Sequence, residues 1–554
     1  MIGVTGHHDI ASGSEPQLKA AFGAILDDLE KRYARTPLAV MTSLAPGAEM
    51  LAAETAVERG LPLIAALPEP AGEFERALAS DLERERFRRL LGCCVRVARA
   101  PERATGAQRR FETAMYVAHY SNLVVAFWDG ERICDPDELI DIVDVRLTGA
   151  CRQRAATTDI PYMPDVGPVF AVVTPRTGAT EPADAFALRQ LYPADVAGGD
   201  ARLQFAGALA CLDVYNADLA AGGEDPAFSP TMGGLQRRTD LTADRLQRTT
   251  YRFLFGLYAV AIVATALQYV TNQLVKYVAL AAAFVVYRIA HAKDYENRFQ
   301  DYRVISEGLR VQVAWKSAGL RDEVERCYLG RQEGDLQWIR MVLRYACFAF
   351  ETEVVAGAAV TSAGTREWIE DQCGFFSRAP RKQARSLALI HRGTRGLFLA
   401  AIATTVVTVA MLYLPGLPAL LAHAPSSIAG LGIRDTVLSW WSLVPPVQVR
   451  WLEAIDARNR TLLLRLSTAA LTMYAAAAFL ISNYCDKRAF KQNIKRYDRM
   501  IVVFARAKKR LAEMGAAANS LAGERIVREL GEEALIENAD WLLNRRERPF
   551  SFVS

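Results

Sequence analysis

Apolar residues in the first 180 positions form short continuous runs, and helical patterns separate these runs. The first run ends at Gly6, and the next five lie at residues 38–41, 63–66, 94–98, 123–127 and 169–173. Strands that are apolar throughout, rather than at alternate positions, are typical of a sheet covered by helices on both faces. The pattern therefore predicts a parallel, doubly wound α/β domain over residues 1–180.

Helical spacing is clearest just after the first strand. Apolar residues recur three and four positions apart, at Leu18, Phe22, Ile25, Leu26 and Leu29. This spacing predicts one buried face of a helix. Residues 181–245 are richer in Ala, Gly, Asp and Pro, and they predict a helical extension that ends in a linker.

The pattern changes abruptly at Arg252, where long apolar runs begin. Four of them predict membrane spans, at residues 253–270, 274–290, 396–414 and 462–482. The first is free of charge over about 18 residues, which is roughly 27 Å of helix. The alternative is a soluble bundle of buried hairpins. We favour an all-α transmembrane region, with hairpins over 246–292 and 396–483.

Basic residues beside these runs predict the orientation. Lys and Arg cluster before the first run, between the second and third, and after the fourth. Both termini and the helical segments 293–395 and 484–554 are therefore predicted to be cytoplasmic. The 47 residues between the last two runs predict an interfacial segment. The basic stretch 487–499 is either a solvated helix face or a contact with anionic lipids.

Composition narrows the class of protein further. The formal net charge of +4 over 554 residues gives no reason to expect a nucleic-acid partner. The nine cysteines are odd in number and scattered, which favours reduced thiols in a cytosol-facing chain. The first residues lack the basic segment and long apolar core of a signal peptide.

Residues suited to ligand binding follow three of the predicted strands. They are Thr5, Gly6, His7, His8, Ser43, Gly47, Glu49, Trp128, Asp129 and Gly130. Strand ends of an open α/β sheet line the ligand crevice, and helix N-termini there suit a phosphate. Alternatively, the hydroxyl residues are helix caps and Asp129-Gly130 is only a turn. No nucleophile, metal-ligand or Walker motif accompanies them, so we predict no catalytic residues and no metal.

Four motifs in order resemble the SLOG domain, a Rossmann-like sensor superfamily related to LOG phosphoribohydrolases and to the DNA-processing protein DprA. They are Gly3-Val4-Thr5-Gly6-His7, Ser43-Leu44-Ala45-x-Gly47-Ala48-Glu49, Leu67-Pro68-x-Pro70 and Ala126-x-Trp128-Asp129-Gly130. The resemblance implies a sensor of a nucleotide or an NAD-derived signal. By position, its ligand contacts would be Gly6, His7, Ser43, Gly47 and Asp129.

The chain departs from that pattern in three places. His8 stands where many such domains have Arg, and Glu49 stands where they have Asp. Residues 134–140 replace the Gly-Gly-Thr phosphate loop that normally follows the Trp-Asp-Gly strand. The missing loop argues against hydrolysis of the LOG type.

Residues from about 240 to 554 resemble the SLATT class of paired-span membrane effectors. The motifs are Tyr302-Arg303-x4-Gly308-Leu309-Arg310, Val313-x-Trp315, Gly334-x3-Trp338-Ile339-Arg340 and Gly531-Glu532-Glu533-Ala534 to Trp541-Leu542. The resemblance implies a homo-oligomeric, multi-pass effector of the bacterial inner membrane that acts in anti-phage defence. Its partners would be a nucleotide-type small molecule and inner-membrane lipids. The alternative is a membrane-tethered hydrolase that cleaves a nucleotide or NAD.

Overall fold

The computed structural model describes the greater part of the chain. The described residues are 1–99, 106–130, 138–149, 166–194, 200–222, 231–267, 273–328, 336–353, 355, 357–413, 439 and 457–547. By contact, the described chain divides into two compact units. Residues 1–242, 301–365 and 518–539 form the first unit, and 243–300, 366–517 and 540–554 are assigned to the second.

One seven-stranded sheet organises the first unit. Its strands are β1 (Ile2–Gly6), β2 (Val40–Thr42), β3 (Leu63–Leu67), β4 (Cys94–Arg99), β5 (Leu123–Trp128), β6 (Val169–Val173) and β7 (Leu188–Leu191). Their order is β4-β3-β2-β1-β5-β6-β7. All neighbours pair in parallel except β6 and β7, which are antiparallel. The structure confirms a parallel-rich α/β domain with strands at the six predicted runs.

Strand β7 was not expected from the sequence. The region 181–245 predicted only a helical extension and a linker, but Leu188–Leu191 pairs along the edge of β6. The prediction was wrong there because a four-residue edge strand with partly exposed side chains has no continuous apolar run. Part of the predicted linker, 223–230, lies outside the described residues.

Helices connect the strands of the first unit and pack against the sheet. They are α1 (Glu15–Arg32), α2 (Ala48–Glu58), α3 (Ala71–Ala77), α4 (Asp81–Cys93), α5 (Gly106–Tyr120) and α6 (Glu138–Thr148). Helix α7 (Ala201–Ala221) follows the last strand and contacts the helix Gln337–Ala349. The five apolar residues predicted on the face of α1 are all buried. Burial of the apolar runs in β1, β3, β5 and β6 forms the core that these helices cover.

The remaining helices are α8 (Met232–Leu267), α9 (Gln273–Ala292), α10 (Tyr295–Ser317), α11 (Val324–Cys327), α12 (Gln337–Ala349), α13 (Ala363–Tyr413), α14 (Ala457–Arg488), α15 (Phe490–Met514) and α16 (Leu521–Arg546). The second half of the chain is helical, as predicted. Residues 301–365 belong to the unit that contains the sheet. In this unit, α12 places Phe348 against the sheet core beside Tyr120.

Two helical stretches in the described residues are long and apolar enough to cross a membrane. They are Ala363–Ala410 and Thr461–Asn519, and each contains an 18-residue window of mean hydropathy 1.5. These windows are 0% and 11% buried, so lipid-facing side chains are compatible with the structure. They contain most of the third predicted span and the whole of the fourth.

The structure also shows helices at the first two predicted spans, namely α8 and α9. Their crossing of the membrane and the cytoplasmic position of the termini stay predictions. The predicted turn of that hairpin and most of the predicted interfacial segment lie outside the described residues.

Aromatic and polar contacts tie helices together within the second unit. Trp368 and Phe376 of α13 pack on Phe504 of α15, with ring centroids 5.5 and 5.6 Å away. The Tyr258 hydroxyl of α8 donates to Asn483 Oδ1 of α14 at 2.8 Å. Helices α14 and α15 are separated by Ala489, which has a left-handed backbone.

Candidate functional site

The strand order of the sheet reverses between β1 and β5. From β1 the chain proceeds outwards through β2, β3 and β4, and from β5 it proceeds the other way through β6 and β7. In open α/β sheets, ligands bind beyond the carboxyl ends of the strands at such a switch point. Residues after Gly6 on β1 and after Trp128 on β5 therefore lie at the expected crevice.

The turn that precedes α2 touches the turn that follows β1. The Ala48 N–H donates to the carbonyl oxygen of His7 at 3.1 Å. Gly47 has φ +80°, and a Cβ there would lie 2.5 Å from the His8 oxygen and 2.6 Å from the His7 oxygen. Only glycine accommodates both the conformation and the close approach. The sequence correctly grouped these two turns.

Glu49 orders the turn after β2 through a single oxygen. Its Oε2 accepts from the Thr42 hydroxyl at 2.8 Å, from the Ser43 N–H at 2.9 Å and from the Ser43 hydroxyl at 2.6 Å. The carboxylate is buried, and Leu44 in the same turn has φ +59°. Glu49 was predicted to contact ligand directly, but in this arrangement it holds Ser43 in place.

His7 and Asp129 form a nearly buried pair where β1 and β5 end. His7 Nε2 lies 3.3 Å from Asp129 Oδ1, and the two side chains are 5% and 9% exposed. The Asp129 N–H also faces Nε2, at 3.5 Å. The structure thus joins two predicted site residues that are 122 positions apart in the sequence.

Arg176 extends this pair and was missed by the sequence analysis. It follows β6, and its Nη1 lies 3.4 Å from Asp129 Oδ2. Its Nε is 3.1 Å from both carboxylate oxygens of Asp9, and its Nη2 is 3.0 Å from Asp9 Oδ2. Partial burial alone would raise the pKa of Asp9, but Arg176 outweighs that effect and lowers it. The sequence signal that could have identified Arg176 is its position just beyond the carboxyl end of a predicted strand.

The other predicted residues surround this network at different depths. Thr5 is 2% exposed, which favours packing over ligand contact. A Cβ at Gly6 would lie 2.6 Å from that of Ala48, so the glycine permits close packing of α2. His8 is exposed, and its Nδ1 lies 3.2 Å from the Pro46 oxygen.

Trp128 and Gly130 flank Asp129 at the end of β5. Trp128 is partly exposed, while Gly130 is exposed and has φ +93°. Both are therefore accessible to solvent at the carboxyl end of β5. The structure places all ten predicted residues at one edge of the sheet.

A second cluster of charges is buried elsewhere in the same unit. Glu325 of α11 is 1% exposed, and His119 Nε2 of α5 lies 3.0 Å from its Oε1. Its Oε2 accepts from Arg344 of α12 at 3.2 Å and lies 3.7 Å from Arg340. Burial alone would raise the pKa of Glu325, but Arg344, His119 and Arg340 together lower it to about 2.

His119, Glu323 and Glu325 could hold a metal ion, because one ligand atom from each lies within 4.8 Å of the others. However, the arginines already neutralise the Glu325 carboxylate. We therefore interpret the group as a structural ion cluster.

No protein-family model matches this chain, and a search of curated proteins found no match. The structure defines an α/β domain with a polar network at its switch point, in a chain that also contains two helices of membrane length. The resemblances to the SLOG and SLATT classes rest on the sequence motifs alone.

Proposed function

We propose that the chain is a membrane effector that senses a nucleotide or NAD-derived signal, and that ligand binding at the switch-point crevice gates a membrane-permeabilising homo-oligomer. One observation carries this proposal. The His7–Asp129–Arg176 network lies at the switch point of an α/β domain whose chain continues into helices long and apolar enough to cross a membrane. The SLOG and SLATT resemblances support the same function, in anti-phage defence at a bacterial inner membrane.

The groups around the crevice suit the parts of a nucleotide. The Arg176 guanidinium matches phosphate geometry, whereas Gly47 serves the close approach of the His7 and His8 oxygens. Asp129 provides a carboxylate of the kind that accepts from ribose hydroxyls. Trp128 packs against the core beside α5 and α6, and its exposed part is available to a base. These are the features of a binding site, and the engagement of Glu49 with Ser43 does not favour the alternative hydrolase.

Chain connectivity supports the gating step. Helices α8, α10, α13 and α16 each have residues in both compact units. A ligand shifts an assembly only by its difference in affinity for the two states, and a change from 1:99 to 99:1 requires about 5.5 kcal/mol. Several subunits in a homo-oligomer would share this free energy, so modest selectivity at each site suffices.

Dye release from vesicles tests the proposal. Full-length protein in phosphatidylethanolamine–phosphatidylglycerol vesicles should release dye on addition of AMP, ADP-ribose or NAD, whichever binds. Asp129→Asn should abolish the response, whereas Asp28→Asn, on the exposed face of α1, should not. Binding of a nucleotide without any release would contradict gating. Turnover of the nucleotide that depends on Asp129 would favour the hydrolase.

A further inference from the structure

Arg176 and Asp9 are more exposed than the His7–Asp129 pair that they extend. The side chain of Asp9 is 44% exposed and that of Arg176 is 22% exposed, against 9% for Asp129. Both oxygens of Asp9 face the guanidinium, at 3.0 to 3.1 Å. A guanidinium recognises carboxylate and phosphate with the same two-pronged geometry.

We propose that Arg176 is the phosphate contact of the site and that the Asp9 carboxylate occupies the phosphate position until a ligand displaces it. This inference rests on the proposed nucleotide-sensing function. It assigns the key anion contact to a residue that belongs to none of the sequence motifs.

The backbone on both sides of the pair is held independently of the two side chains. The Thr177 N–H donates to the Asp9 oxygen at 2.8 Å, and the Ala11 N–H donates to the Pro175 oxygen at 3.0 Å. Ile10 and Arg176 form an antiparallel bridge between these bonds. Displacement of the Asp9 side chain therefore leaves Arg176 anchored beside Asp129.

Exposure and charge identify Asp9 as the group that leaves. Asp129 is nearly buried and also faces His7, whereas the Asp9 side chain is 44% exposed and borders solvent. Two carboxylates against one guanidinium leave one excess negative charge among these three side chains. That excess repels a phosphate as long as Asp9 stays in place, so an incoming phosphate must exchange with it.

The test compares AMP with adenosine by titration calorimetry on the full-length protein in detergent. AMP should bind more tightly than adenosine to the wild type. Arg176→Gln should weaken AMP about tenfold or more and leave adenosine unchanged, because it removes a charged hydrogen-bond donor. Arg176→Lys keeps the charge but loses the two-pronged geometry, so its affinity for AMP should lie between those of the wild type and Arg176→Gln. Asp9→Asn should strengthen AMP binding several-fold, because it removes the competing charge.

Arg32→Gln is the matched control, since it breaks an exposed Arg–Asp pair of 2.8 Å on α1. It should change neither affinity, and melting temperatures should show that every variant folds. If Arg176→Gln weakens AMP and adenosine equally, or Asp9→Asn weakens AMP, the inference is wrong while the proposed function stands. If AMP, ADP-ribose and adenosine all fail to bind the wild type, the inference and the proposed function are both overturned.

Discussion

Replacing Glu325 with alanine should loosen the packing of α12 in the first unit. The substitution removes the carboxylate that His119, Arg344 and Arg340 share in a buried setting. Loss of one partner from a buried ion pair typically costs about 3–5 kcal/mol, because the remaining charges stay desolvated.

The pKa of Glu325 gives an independent magnitude. Its value falls from 4.5 to about 2 in the folded chain, and each pKa unit corresponds to about 1.36 kcal/mol. The difference is therefore about 3 kcal/mol, in agreement with the first figure. Because the folded pKa is depressed, this stabilisation is complete above pH 4.5 and is lost as the pH falls towards 2.

Hydrogen exchange on the full-length protein measures the effect locally. At pH 7, Glu325→Ala should accelerate exchange of residues 337–349 about 100-fold or more, which corresponds to the predicted 3 kcal/mol. The control is Glu323→Ala, because Glu323 is 18% exposed and lies 3.9 Å from His119. Its partners are the exposed Arg326 and the hydroxyl of buried Tyr120, so its loss should cost less, about 1–2 kcal/mol.

Melting experiments at decreasing pH check the predicted direction of this pH dependence. The advantage in melting temperature of the wild type over Glu325→Gln should be constant down to about pH 4.5 and should shrink below it. Equal exchange rates in the Glu325 and Glu323 variants, or an advantage that grows with acid, would refute the reasoning.

Three further outcomes follow from other parts of the chain. Gly47→Ala should lower the free energy of unfolding by at least about 1 kcal/mol more than Gly178→Ala, as measured by denaturant unfolding. Both glycines have φ +80°, but only at Gly47 would the added Cβ meet a neighbouring backbone. Glu49→Gln should speed hydrogen exchange in the turn after β2 by about tenfold, since it weakens three charge-assisted hydrogen bonds. Thr404→Arg should raise the apparent free energy of membrane insertion of the segment 385–414 by about 2.5–3.5 kcal/mol, as measured with an insertion reporter. Ala388→Arg lies outside the apolar run and should change that free energy little.

The sequence was sufficient for the parts of the fold that depend on local periodicity. Continuous apolar runs located six strands, and helical spacing identified the buried face of α1. Rules about strand ends then grouped the turns that contain Gly47, His7 and Asp129 without knowledge of the strand order. These signals lie within about 20 residues, where the period of the pattern reports which face is buried.

Long-range ion pairs gave no such signal. Asp9 and Arg176 are 167 positions apart, and the partners of Glu325 come from α5 and α12. A charged residue looks the same in sequence whether it is solvated or paired, so only the packed chain distinguishes the two. For the same reason, the sequence assigned residues 293–395 to a separate helical region, although 301–365 pack into the unit that contains the sheet.

Strand β5 connects the two polar features of the first unit. His119 lies in the last turn of α5, and the chain enters β5 at Leu123, four residues later. Asp129 directly follows the last residue of β5. The Glu325 cluster is thus joined to the amino end of a strand roughly 20 Å long, and the His7–Asp129 pair lies at its carboxyl end. Coupling between distant sites requires an element with two discrete arrangements that both sites bias. Under the proposed function, a ligand at Asp129 would act on the strand that follows α5, and His119 of α5 contacts Glu325. Residues 301–365 lead into α13. If a ligand binds at this site as proposed, we therefore expect the stability of the buried cluster to affect how far binding is transmitted along the chain.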